Sequence, residues 1–215
     1  MPWFLARKYR LVKTGNWTNI WSMSAKSKAV VSGYLQQQML IAMPAMADPN
    51  FSRSVTLLCQ HNEEGAIGIT INRESDFTLG ELFFQLNISC ENEEISSMVV
   101  LEGGPVSPDH GFVLHTPVEG FDSSILISDE IMVTTSRDVL SAIAEGKGPR
   151  KFLVALGYAG WGDGQLESEM RQNAWLSVPA DQDIVFESAL QKRWEKAVGK
   201  LGININDLHG VGGYA

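Results

Sequence analysis

A chain of 215 residues with 44% hydrophobic and 20% charged residues can bury one sizeable core, and that balance excludes disordered and fibrous architectures. The formal charge of −8 is unevenly spread: residues 1–33 hold Arg7, Lys8, Arg10, Lys13, Lys26 and Lys28 and no acid, so the other 11 of 17 basic residues face all 25 acidic ones, a formal −14. Such a body repels phosphate backbones, and no apolar run approaches the roughly 20 residues of a membrane helix, so nucleic-acid binding by the core and a membrane span are both disfavoured.

The basic arm 1–33 has no uninterrupted apolar stretch before Ser24-Ala25, which argues against a secretory signal; it reads as a disordered extension, with Met23 as an alternative start. Without that signal, Cys59 and Cys90 read as two reduced thiols in a cytoplasmic protein. Folding is expected from Tyr34, where Leu35, Met39, Leu40 and Ile41 lead into a strand stopped by Pro44. Residues 54–61 and 66–72 predict two strands, and Asn62-Glu63-Glu64-Gly65 between them predicts a β-hairpin. Thr78, with Glu81 three residues on, predicts a capping box opening a helix over 79–86. Short strands follow at 99–101, 111–115, 124–128 and 131–135. Ser136 caps a helix through Ala144 that ends at Gly146. A buried strand at 152–156 feeds a glycine-rich loop, then a helix over 165–176, a last strand at 184–186 and a helix over 188–201. Hairpin-like strands with helices inserted late make a mixed, α+β-like α/β fold more fitting than a regular doubly wound sheet.

Three polar segments could carry chemistry. Gly157 to Gln165 has the strand-to-helix context that holds phosphate, yet it lacks the terminal Lys and Ser or Thr of a phosphate loop, and Asp163, Glu167 and Glu169 would repel an anion. Its glycines equally suit a tight turn that lets Trp161 and Trp175 pack. Glu102-Gly103-Gly104-Pro105 is a stiff turn, read either as a binding surface or as a strand connector. The third runs from Asp48 through Arg53 to Ser54; its arginine needs a partner, and Glu102 is the candidate. No Gly-x-Ser-x-Gly surrounds any serine, Cys59-x-His61 lacks further ligands at zinc spacing, and His110, His115 and His209 form no motif. Asp163, Glu167 and Glu169 can be read as acid, base or hard-cation ligands, or as solvated helix-start carboxylates, with Glu167 and Arg171 a helical ion pair.

Leu40 to Val55 with its Asp48-Pro49-Asn50-Phe51-Ser52-Arg53-Ser54 core, then Gly65, Gly68 and Ile71-Asn72-Arg73, Gly103-Gly104-Pro105-Val106, and Gly157 to Leu176 ending Asn173-Ala174-Trp175-Leu176, together make the chain closely resemble the YqgE/AlgH family of bacterial proteins. The resemblance spans the chain from about Tyr34 onward. Gln60, Glu74 and Tyr214 depart from the family pattern. It implies a compact single domain with a bifurcated mixed sheet closing into a pseudo-barrel, a cytosolic location and a role in transcriptional regulation, without an enzymatic activity or a cofactor. The expected function is therefore a non-catalytic binding or regulatory protein acting through another protein or a small ligand. Its expected contact surface draws on Asp48, Arg53, Ser54, His61, Glu102, Gly103, Gly104, Pro105, Trp161, Asp163, Gln165, Glu167 and Asn173. The alternative is a hydrolase-like enzyme, with or without a divalent metal, built on the Gly-rich loop with Asp163, Glu167 or His61.

Overall fold

The computed structural model describes residues 34–202. The basic arm 1–33 with Met23, and the end segment with His209 and Tyr214, lie outside the described residues. Ten strands and five α-helices follow in chain order: β1 (Gln38–Ala42), β2 (Val55–Asn62), β3 (Gly65–Thr70), β4 (Glu74–Thr78), α1 (Leu79–Gln85), α2 (Glu93–Ser96), β5 (Val99–Glu102), β6 (Val106–His115), β7 (Ser124–Ser128), β8 (Ile131–Thr134), α3 (Arg137–Ala144), β9 (Phe152–Trp161), α4 (Gln165–Arg171), β10 (Trp175–Pro179) and α5 (Leu190–Gly199).

The expected hairpin forms β2 and β3; its turn is tightened by the Asn62 side chain, whose Oδ1 accepts from the Glu64 N–H at 2.9 Å. The capping box at Thr78 and Glu81 is complete, with both reciprocal hydrogen bonds made. Sequence and structure part company at several places. The glycine-rich stretch 157–161 is not a loop but the second half of β9, because β3 and β6 offer it partners on both edges. The helix expected to reach residue 176 stops at Arg171, since Asn173 takes a left-handed conformation (φ 57°) and residues 175–179 pair with β1 instead. Residues 183–187 form one turn of π-helix rather than a strand, with Ile184 and Val185 buried. The charged Glu74-Ser75-Asp76 hides β4, which pairs with β5.

The sheet runs β10-β1-β2-β3-β9-β6-β8-β7, and it forks along one edge of β9. Residues 159–161 of β9 pair with β3, whereas Ala155 and Leu156 pair in parallel with β5, which carries β4 outward. At the fork the backbones cross with no room for side chains. A Cβ on Gly104 would lie 2.2 Å from the Tyr158 carbonyl carbon, and one on Gly157 2.4 Å from the Gly104 oxygen; both residues have positive φ, 153° and 73°. The resulting mixed sheet, mostly antiparallel, curls into a half-barrel flanked by helices. Inside it, Met39, Ile41, Leu57, Ile69 and Phe112 meet α5, and the outer side is covered by α1 and α3. Helix α5 is tied to the strand ends: the Trp194 indole N–H donates to the Ala42 carbonyl at 3.0 Å, and buried Arg193 donates to the carbonyls of Ile71 and Ser188. Burial pulls the Arg193 guanidinium down to about 10.

Candidate functional site

The expected site residues divide into two groups joined by one aromatic ring. The first surrounds α4. Trp161 and Trp175 are buried and meet edge to face, 5.8 Å apart. Both indole N–H groups donate to one carboxylate oxygen of Glu169, at 2.9 and 2.8 Å; its other oxygen accepts from the Gln165 amide at 2.9 Å. Gln165 in turn accepts the Gly162 N–H. Glu169 is thus the polar centre of an aromatic core, and Gln165 is its outer support rather than a ligand-seeking group.

His61 belongs to the same group. Its ring is 1% exposed, and its Nδ1 accepts the Leu35 backbone N–H at 2.9 Å. The proton must then sit on Nε2, which donates to Glu167 Oε1 at 2.8 Å. Both ring nitrogens are committed, leaving no lone pair to act as a base and none to bind a metal. Glu167 is held below the usual carboxylate range by its own backbone N–H first and then by His61, with Arg171 a lesser contributor; the sequence suggested only the last. Asp163 is exposed at the rim, beside Tyr34. Asn173 is the left-handed residue after α4, with its N–H bonded to the Met170 carbonyl, a conformation asparagine tolerates. Among the described residues no group of three His, Cys, Asp or Glu side chains is placed to hold a metal ion. Burial pushes the Cys59 thiol up to about 12, so it is not a nucleophile at neutral pH.

The second group surrounds Arg73, which sequence reasoning passed over because a single arginine after a strand forms no motif. Its Nη1 donates to the carbonyls of Pro49 and Asn50 at 2.7 and 3.0 Å, and its Nε lies 3.7 Å from Glu102. Arg73, not Arg53, is therefore the partner of Glu102. It fastens the Asp48 loop to the Gly103-Gly104 turn. The Asp48 side chain accepts the Asn50 N–H and its carbonyl the N–H groups of Phe51 and Ser52, which shapes the loop. Ser54 is fully buried, and its hydroxyl finds no partner among the described residues. Between loop and turn lies a cavity of about 200 Å³ lined by Asn50, Arg73, Ser75, Glu102, Gly104 and Pro105. Gly103 and Gly104 permit the crossing at the fork, so the connector reading explains the glycines, while Glu102 and Pro105 stand exposed on the rim.

On the other side of Arg73 is a second, polar cleft of about 380 Å³, whose rim carries Arg53. Phe51 links the two groups: it stacks on Trp161 at 6.3 Å and meets Trp175 edge-on at 5.5 Å. A broader depression of about 610 Å³ over β2, β3 and β9 includes Gln60, Ile67 and Tyr158 but gathers no catalytic set.

The AlgH-like family model matches residues 39–206. A "UPF0301 protein" of Xanthomonas oryzae pv. oryzae is 49% identical over 181 residues, covering 84% of this chain and 96% of that protein. The UPF0301 protein XAC2918 of Xanthomonas axonopodis pv. citri matches to the same extent. The solution structure of the AlgH protein from Pseudomonas aeruginosa aligns with a TM-score of 0.71 at 44% identity, covering 88% of this chain and all of that one. The crystal structure of protein DIP2367 from Corynebacterium diphtheriae aligns at 0.63 with 19% identity over 81% and 91%, a likeness of fold alone. With most of its length matched by the family model and by relatives at this identity, the chain belongs to the AlgH-like family.

Proposed function

We propose that this is a non-catalytic binding protein of the cytoplasm that acts through a protein partner, engaging it with the face built around Arg73. The observation that carries the reading is the contrast in how polar groups are used. Of the acid-base candidates, His61 and Glu167 bond to each other, Glu169 holds the two indole N–H groups and Asp163 stands apart from them at the rim, whereas Glu102, Pro105, Asn50 and Arg53 stand together at the mouths of two adjoining clefts. Rigid turns fastened to a sheet keep such a surface in one shape, which lowers the ordering entropy lost on binding. A regulatory role, on this reading, is exerted through protein contact: the acidic body disfavours a phosphate backbone. The hydrolase-like alternative is weaker because His61 has no free nitrogen and Cys59 stays a thiol.

Affinity capture with the wild-type chain and with the double variant Arg73→Ala/Glu102→Ala tests the placement. A partner lost with that variant and kept with Leu126→Ser, on the exposed side of distant β7, is the expected result. Identical partners for all three chains would contradict it.

A further inference from the structure

Among the described residues, Arg53 is the arginine of this face whose guanidinium makes no hydrogen bond and no ion pair. Its backbone is left-handed (φ 52°), a conformation unfavourable for a long side chain and retained where the surroundings impose it. Its guanidinium lies 5.4 Å from the centre of the Trp194 ring. That ring is itself fixed by the hydrogen bond from its N–H to the Ala42 carbonyl. The loop is held from below as well: the Asn72 amide donates to the Arg53 carbonyl at 2.9 Å and accepts the Val55 N–H at 2.8 Å. Yet among the described residues no carboxylate lies within ion-pair distance of Arg53, and no hydrogen bond uses its guanidinium. In a body with a formal −14, an exposed arginine set over Trp194 without an acid partner presents a planar fork of N–H donors that no hydrogen bond uses.

We infer that the cleft between Arg53 and α5 binds a carboxylate group carried next to hydrogen-bond donors, as at the C-terminal end of a polypeptide or in a free amino acid. Arg53 faces the carboxylate as a two-pronged donor, the arrangement in which guanidinium is strongest. The cleft also contains Glu74, whose Oε1 accepts from the Gln191 amide at 2.8 Å, and Glu195, whose Oε2 accepts from Lys192 at 2.9 Å; the second oxygen of each is the acceptor for N–H groups on the ligand. The same two carboxylates disfavour a dianionic phosphate. A volume of about 380 Å³ accommodates a few residues of peptide. The inference deepens the reading of this face as a contact surface, and the two fail separately, since partner capture can depend on Arg73 and Glu102 whether or not a carboxylate enters here.

Titration of the full chain, followed by the Arg53 Nε–H and Trp194 indole N–H resonances, provides the test. The probes are triglycine, glycine, triglycinamide and inorganic phosphate. Saturable shifts with triglycine or glycine, absent with triglycinamide, support the inference, and the tighter of the two names the source. Arg53→Asn keeps the left-handed backbone, because asparagine accepts it, and should melt like the wild type while weakening binding about tenfold or more. Arg53→Lys, retaining charge without the fork, should fall between the two. No saturable shift with any probe, a response to phosphate alone, equal shifts with the amide, or undiminished binding by both variants would each overturn it.

Discussion

The two ends of the Phe51 loop teach different lessons about polar groups. At one end Phe51 packs against two indoles whose N–H groups converge on Glu169, and every donor there meets an acceptor inside the protein. At the other end the Arg53 guanidinium lies over Trp194 and has no acid within reach among the described residues. The first arrangement has the properties of a core, since removing one partner strands others. The second has those of a binding surface, since removing the side chain strands nothing.

That comparison can be broken most forcefully at the aromatic end. Trp175→Ala removes a 2%-exposed indole from the core and should lower stability by about 3–5 kcal/mol, read from chemical denaturation. Glu169→Ala keeps the packing but leaves two indole N–H groups without their charged acceptor, and a loss of about 2–3 kcal/mol is expected by the same method. A loss below about 0.5 kcal/mol would mean that the two indoles do not depend on Glu169.

A smaller effect is expected on acidification. His115 is fully buried, with Nδ1 donating to the Thr116 carbonyl and Nε2 accepting from the Thr134 hydroxyl, both at 2.8 Å. Burial holds it below its ordinary 6.5 against the opposing pull of the Thr116 carbonyl. The folded value is thus the lower one, so the unfolded chain takes the proton first. Its contribution is complete above about 6.5 and declines as pH falls through that value toward the folded one. Melting temperature should therefore drop as pH falls below about 7, and less steeply in His115→Gln. Equal slopes would remove His115 from the account. Smallest of all, Arg53→Asn should change stability by less than about 0.5 kcal/mol.

How much of this was legible in the sequence follows from the range of the forces involved. The hairpin and the Thr78 capping box rest on local chemistry and form where the residues put them; the helix after Ser136 also starts there, although the Ser136 hydroxyl donates to the Asp122 carbonyl and the Asp138 carboxylate instead of accepting a helix N–H. What escaped depends on partners distant in the chain. Trp175 and Leu176 read as the end of a helix because their apolar character fits either element, and only pairing of residues 175–179 with β1 decides for a strand. The polar start of β4 likewise gave no strand signal, and only β5 supplies its partner. In the site, Glu102 and Arg53 were both visible as candidates, but pairing them with each other was an error of geometry: Arg73 lies nearer to Glu102, and Arg53 turns to Trp194, 141 positions along the chain. His61 and Glu167 were named without any hint that they touch across 106 residues.

The contact surface of the protein is proposed to be the Arg73 face. A photo-crosslinking side chain introduced in living cells at exposed Asn50, beside that face, and separately at exposed Gln172, beside the aromatic end, tests it directly. A discrete protein adduct from position 50 and none from 172 is the predicted result; an adduct from 172 alone would contradict it.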